Sequence, residues 1–250
     1  MKPGLILRLV ALALLVAFIA MPESFAFVFA PLTKNGQPAI YVQSSLLALS
    51  LSHLAIVAVA TVASIVVAVG LAIFVTRQAG LEFLPLSRSV ANIGQTFPPV
   101  AVLALAVPVL GFGTAPTLVA LFLYGLLPIF ENTLTALTTL PPAVIEAARG
   151  SGMTNSQRLL QVEVPLAMPV ILAGIRLSVV ISIATATIGS TVAASTLGEV
   201  IIAGLLSNNL AFVLQGGLVV ATMAVLIYDA LSALERQLLK RTRGLSQASD

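Results

Sequence analysis

Five stretches of this 250-residue chain carry no charged side chain: residues 9–22, 35–76, 89–130, 177–198 and 200–228. That feature excludes most folds. A soluble domain devotes about a quarter of its residues to Asp, Glu, Lys and Arg. Here the fraction is 8%, against 59% hydrophobic residues. So apolar a chain does not stay disordered. A membrane barrel would need many segments of about ten residues with alternating polarity. These runs are long and continuous, and in lipid a helix satisfies its own backbone. The chain therefore reads as all-α, a polytopic membrane protein.

One crossing takes about 20 residues. Residues 5–21 give a first span and 46–75 a second, long one. The stretch 89–130 is twice one crossing and breaks at Gly111-Phe112-Gly113-Thr114-Ala115-Pro116, a turn sequence;. It predicts a hairpin of spans 91–110 and 116–131. Spans 169–193 and 211–233 complete six. With the N-terminus inside, Lys2, Arg8, Arg77, Arg88, Arg149, Arg158, Arg176, Arg236, Lys240, Arg241 and Arg243 fall on the cytoplasmic side and Lys34 outside;. Both termini are then cytoplasmic. The chain divides into an N-terminal span and outer loop (1–45), a transmembrane domain (46–235) with a cytoplasmic loop over 133–168, and a basic tail (236–250). The competing reading of residues 1–26 is a signal peptide cleaved after Ser24-Phe25-Ala26;.

Several chemistries are missing. With no cysteine there is no thiol chemistry, and one histidine, His53, excludes a multi-histidine metal site;. The three lysines, Lys2, Lys34 and Lys240, stand in no phosphate-binding GxxxxGK[ST] loop;. No cofactor is expected in this chain, and no nucleophile–base pair that would make it an enzyme.

The cytoplasmic segment is too long for a plain connection. Pro141 and Pro142 suit a first helical turn over 143–149, and Gly150 and Gly152 can end it left-handed. Thr154 with Gln157 forms a capping-box pattern for a second helix over 155–161. Pro165 and Pro169 mark a return to the membrane. The plain alternative is an amphipathic connector.

Within it, Glu146-Ala147-Ala148 is followed after three residues by Gly152, and nine residues later by Val162, Val164 and Pro165. This resembles the EAA motif, E-A-A-x(3)-G-x(9)-I-x-L-P, of membrane subunits of bacterial ABC importers. Valine replaces the isoleucine and the leucine, and the spacing is kept. The resemblance implies a coupling helix that docks on a separate ATPase, so that ATP is bound by the partner. It places Glu146, Ala147, Ala148, Gly152, Val162 and Pro165 at that contact. Arg149 and Arg158 share the element, and Arg158 reads as a solvated or lipid-facing charge.

The likeness extends over about 45–235. Residues 91–99 (ANIGQTFPP), 123–133 (LYGLLPIFENT) and 197–199 (LGE) resemble permeases for osmoprotectants such as glycine betaine, choline and carnitine. Phe97 and Pro99 depart from the usual pattern. Prolines 98, 99, 108 and 128 inside spans are tolerated where protein or a water-filled cavity serves the freed backbone. Gln95, Pro98 and Tyr124 are thus candidates for the translocation path, with Pro108 a packing kink. Glu199, opening a re-entrant or interfacial segment over 196–204, is a candidate for an outer gate; the alternative is a simple loop. Ala173, Gly174, Ala184, Ala186 and Gly189 suit close helix packing and a permease–permease interface. His53 reads as a hydrogen-bonded neutral histidine, and Glu131 and Asp229 are given no chemistry. With no tryptophan and three tyrosines, a tight quaternary-ammonium cage within the spans is not expected;.

By resemblance, the expected partners are cytoplasmic ABC ATPase subunits, a second permease (identical or related), a periplasmic or lipid-anchored substrate-binding protein, and membrane lipid, but no nucleic acid. The expected location is the bacterial inner membrane. An ABC permease for another small solute, such as an amino acid or sulfonate, is the alternative. A secondary transporter is disfavoured by the near-absence of intramembrane carboxylates and lysines.

Overall fold

The computed structural model describes residues 3–34 and 36–247. Its α-helices are α1 (Pro3–Ala20), α2 (Ala26–Phe29), α3 (Leu46–Val75), α4 (Leu84–Thr96), α5 (Pro99–Leu110), α6 (Thr114–Thr138), α7 (Pro142–Gly150), α8 (Asn155–Arg158), α9 (Val164–Ala186), α10 (Gly198–Leu206) and α11 (Leu210–Gln247). Four helical segments, beginning at Leu46, Thr114, Asn155 and Leu210, are long and apolar enough to cross a membrane; two interrupted pairs raise the number to six. The expected all-α polytopic architecture holds among the described residues.

Contacts divide the chain into two compact units. The first holds residues 1–60, 97–122 and 180–228, the second 61–96, 123–179 and 229–250. Helices α3, α6, α9 and α11 give residues to both.

In the first unit, α1 ends at Ala20 and the chain bends by 115° into Pro22–Leu32. Proline at 22 excludes helical geometry from Met21, whose φ is −134° and ψ 62°;. Phe18 holds the bend through Phe25 and Phe29, with ring centroids 5.3 and 5.4 Å away. The expected hairpin turn is present. Gly111 and Gly113 have positive φ, and the Gly113 N–H donates to the Val192 carbonyl at 2.6 Å. Beyond α9 a tight turn over Thr187–Val192 leads to α10, and a Cβ on Gly198 would lie 1.8 Å from the Thr187 carbonyl oxygen. Asn209 caps α11 by accepting from the Ala211 N–H at 3.0 Å;.

In the second unit, Ala136, Leu137, Ala167 and Ile171 form an apolar core beneath Val69 and Ile73. Glycines bring the helices close. A Cβ on Gly125 would stand 2.7 and 2.8 Å from the Ser64 and Ser178 hydroxyls, and one on Gly174 2.7 Å from both Asn132 and the Pro128 carbonyl.

Several expectations need correction. The third span is not one helix: α4 stops at Thr96 and α5 begins at Pro99, because Pro98 sits at φ −58°, ψ 142°, outside the helical region. The fourth helix runs to Thr138, into the expected loop 133–168. No return loop precedes the fifth span: α8 passes through a wide π turn, Leu159–Glu163, directly into α9. In that turn the Val164 N–H reaches five residues back to the Leu159 carbonyl. Pro165, with no N–H, follows directly after this π turn within a continuous helix over Asn155–Val192;. The basic tail continues α11 as helix to Gln247. Gly174 and Gly189 face Asn132 and Thr117 of the same chain, so these two expected interface glycines serve internal packing. Lys2, counted for orientation, and residues 248–250 of the tail lie outside the described residues.

Candidate functional site

The turn that carries the candidate coupling residues is built by local sequence. Pro141 (φ −57°, ψ 128°) precedes α7 and Pro142 opens it;. At the other end the Gly152 N–H donates to Arg149 O at 3.0 Å and the Met153 N–H to Ala148 O at 3.2 Å. This is the Schellman closure, with Gly152 at the left-handed position, φ +76°;. Gly150 stays helical, against expectation. A Cβ on Gly152 would meet nothing within 4 Å, so only its backbone conformation demands glycine;. The capping box forms as expected: Gln157 N–H to Thr154 Oγ1 at 3.3 Å, Thr154 N–H to Gln157 Oε1 at 2.9 Å;.

On this frame Glu146 and Ala147 are exposed and Ala148 is buried. Val162 is half-buried in the π turn, and Pro165 is exposed. A small-residue face beside an exposed carboxylate is thus presented outward, with its turn locked from both sides.

Behind the turn lies an ionic cluster that the sequence did not announce. Glu163, 4% exposed, accepts two bonds from the Arg77 guanidinium and one from Arg158 Nε at 2.7 Å. Arg158 is buried, at 8% exposure, not solvated as expected. Arg77 lies two residues beyond the end of α3 and Glu163 closes the π turn, so the cluster ties the segment after α7 to the turn that follows α3. Charge-assisted, two-pronged bonds set geometry as well as energy. The pairing spans 86 residues of sequence and carries no local signal.

Two candidate path residues meet in the same unit. Pro128 has no N–H, so the Tyr124 carbonyl lacks its bond within α6. Gln95 Nε2 donates to that carbonyl at 3.0 Å. Nearby, Arg88 and Glu131 form a two-pronged ion pair at 2.7 and 3.2 Å, giving the unassigned Glu131 a partner. Pro98, the third candidate, is exposed and starts α5.

The remaining candidate, Glu199, lies in the first unit, in the first turn of α10. Its Oε1 accepts from the Tyr41 hydroxyl at 2.7 Å and from the Ser44 hydroxyl. Burial, then the bond to Glu199, pushes the Tyr41 hydroxyl up to about 12 from its usual 10.0. Residues 38–41 are pinned by two amides: Gln215 Nε2 donates to Ala39 O at 2.6 Å and Gln215 Oε1 accepts from the Tyr41 N–H at 3.1 Å, while Asn209 Nδ2 donates to Pro38 O at 2.9 Å. Gln215 is fully buried and was missed, since one glutamine in an apolar run gives no partner. Glu199 therefore belongs to an assembly with the anchored loop 38–44, beside a cavity of about 550 Å³.

His53 is fully buried. Its Nε2 lies 3.0 Å from the Ile183 carbonyl, and its Nδ1 accepts from the Leu197 N–H at 3.4 Å. A carbonyl on one nitrogen and an N–H on the other fix the neutral tautomer protonated on Nε2. This agrees with the structural role expected of it. Among the described residues no group of three metal-ligating side chains occurs.

With this geometry in place, comparison with known proteins is informative. Residues 69–244 match the family described as binding-protein-dependent transport system inner membrane component. The osmoprotectant import permease protein OsmY of Salmonella typhimurium is 39% identical over 200 residues, covering 80% of this chain and 85% of that protein. The carnitine transport permease protein OpuCB of Listeria monocytogenes is 40% identical, covering 78% and 88%. The glycine betaine/carnitine/choline transport system permease protein OpuCB of Bacillus subtilis is 37% identical, covering 79% and 90%. The inward-facing MetNI methionine ABC transporter superposes with a TM-score of 0.70 at 21% identity, over 77% of this chain and 95% of that one. That likeness concerns the fold.

Proposed function

This chain belongs to the family of binding-protein-dependent transport system inner membrane components, and we propose that it is the permease subunit of an ATP-driven importer for osmoprotectants such as glycine betaine, choline or carnitine. The substrate class rests on relatives, 37–40% identical, that carry those names. The mechanical reading rests on one observation above all: a nine-residue helix, α7, with Glu146 and Ala147 exposed and its end fixed by the Gly152 turn, leads into a segment in which Glu163 bonds both Arg158 and Arg77, which lies just beyond α3.

In this reading two permease subunits line the path. ATPase subunits bind and hydrolyse ATP while seated on α7 and the turn behind it. A substrate-binding protein docks outside, and both termini are cytoplasmic. ATP-driven closure of the ATPases moves α7, and the Arg77–Glu163–Arg158 cluster carries that movement into α3. Gln95 keeps α6 intact at Pro128, so that a proline-weakened helix can flank the path without an unpaired carbonyl.

Uptake of radiolabelled glycine betaine, choline and carnitine by a strain lacking its own systems, carrying this chain with its ATPase and binding protein, tests the proposal. ATP-dependent accumulation of at least one is expected, and accumulation of none overturns the substrate class. Cysteine labelling tests orientation without background, because the chain has no cysteine. A cysteine at Lys34 should react with an impermeant thiol reagent added outside, and one at Ser156 should not.

A further inference from the structure

The cavity beside Glu199 presents an unusual set of groups. Its wall includes Gln37, Tyr41, Glu199, Ile202, Leu206 and Phe212, and no lysine, arginine or histidine lines it. Both hydrogen bonds to Glu199 end on Oε1, so Oε2 takes no donor from the described residues. Gln37 spends its Nε2 on the Ser207 carbonyl at 2.9 Å, and its buried Oε1 has no hydrogen-bond partner. Glu199 Oε2 and Gln37 Oε1 are thus unused acceptors at the cavity, one of them a carboxylate, beside the exposed amide of Gln43. Elsewhere the part-buried Glu131, Glu163 and Glu235 each face an arginine. Glu199 has hydroxyl donors in place of a counter-ion.

A carboxylate without a counter-ion inside a cavity calls for a cation. About 550 Å³ is far more than a bare metal ion fills and falls within the range of small-molecule sites;. The other walls are apolar. Tyr41 and Phe212 stand edge to face, centroids 5.4 Å apart at 90°, and Ile202 and Leu206 add aliphatic surface. A methylated ammonium group matches both kinds of wall: its charge is met by Glu199, and its methyls by the rings and aliphatic side chains. The two hydroxyls on Oε1 hold the carboxylate plane in place.

From this we infer that the Glu199 cavity is a low-affinity site for alkylated ammonium cations on the permease itself, entered from the outer-loop side. It rests on the proposed function for its cargo, where it gives the permease a first contact with the ammonium head once the binding protein lets go. It stands apart from a cage within the spans, which the scarcity of aromatic residues argues against. Low affinity suits a transit site, since a tightly held solute leaves slowly.

The test uses Ile202→Cys, a half-buried position on the cavity wall, in the purified permease–ATPase complex. The rate of modification by an uncharged thiol reagent is measured in rising tetramethylammonium chloride against equal sodium chloride. The site predicts slowing by the factor 1 + [L]/Kd, about tenfold at ten times Kd, with half-protection at about 1–10 mM. Glu199→Gln in the same background should remove the difference between the two salts. Equal rates in both salts up to about 100 mM, with Glu199 present, overturn the site whether or not the Gln variant folds. Protection that survives in a folded Glu199→Gln protein overturns the role of the carboxylate. Protection without osmoprotectant uptake would leave the site standing and remove the proposed cargo; uptake without protection would do the reverse.

Discussion

In the unit that holds the Gly152 turn, ion pairs stand alongside buried hydroxyls. Glu163 sits between Arg77 and Arg158, and Arg176 bonds Glu235 at 2.6 Å and Ser232 at 2.8 Å. In the unit of His53 and Gln215, the buried imidazole and amides are neutral. An imidazole bridges Ile183 and Leu197, and two amides grip the backbone of residues 38–41. The difference is one of stakes. A complete buried ion pair contributes little net stability, but removing one partner strands a charge, whereas a lost neutral bond leaves a smaller desolvation penalty. The unit with the ion pairs is therefore brittle at single residues.

Substitutions can break this comparison. Glu163→Leu strands two guanidinium groups and should cost about 3–5 kcal/mol, read as the largest drop in unfolding temperature of the purified protein. A loss no greater than that of a neutral-network variant would mean the cluster is not truly buried. Gln215→Leu is that variant: it leaves Ala39 O and Tyr41 N–H unpaired and should cost about 1–3 kcal/mol. It should also loosen the outer loop, seen as faster proteolysis near residue 40, with the coupling turn untouched.

Gly152→Ala sharpens the contrast between stability and transport. Space is open around a new Cβ, so the cost is the left-handed conformation alone, about 1–2 kcal/mol;. Uptake should fall far more than stability, because the turn that aims α7 shifts. Equal uptake in a protein of unchanged abundance would remove the turn from coupling. The smallest effect belongs to Glu131→Gln. Its pair with Arg88 is half-exposed, 54% and 34% at the two side chains, so the unfolding temperature should barely move and any difference should vanish in high salt;.

The same contrast decides what could be read from the sequence. The second span was legible as 46–75 because a charge-free run of helix formers has one outcome in lipid. The Gly152 turn and the Thr154–Gln157 box were legible because each lies within a few residues of chain. The break at Phe97-Pro98-Pro99 was missed, although its prolines were noted, because a tolerated kink and a full break share one sequence signature. Pairings across 43, 59 and 86 residues carry no local mark, so Glu131 read as idle. Arg158 read as solvated although Glu163 stands five residues on, because the π turn between them was not foreseen. Gln95 was placed on the path without the detail that Pro128 had freed a carbonyl for it. Glu199 was singled out, but its loop partners Tyr41 and Ser44 were not.

The central claim is that α7 and its turn are the surface an ATPase subunit occupies. Ala147 is exposed on α7, so Ala147→Trp adds bulk to that face without entering the core of its own chain. Co-purification of the ATPase subunit with tagged wild-type permease, compared with the Ala147→Trp variant at equal permease abundance, reads the claim directly. The account predicts ATPase recovered with the wild type and lost, together with ATP-dependent uptake, in the variant. An ATPase that still co-purifies in equal amount with the tryptophan variant would contradict it.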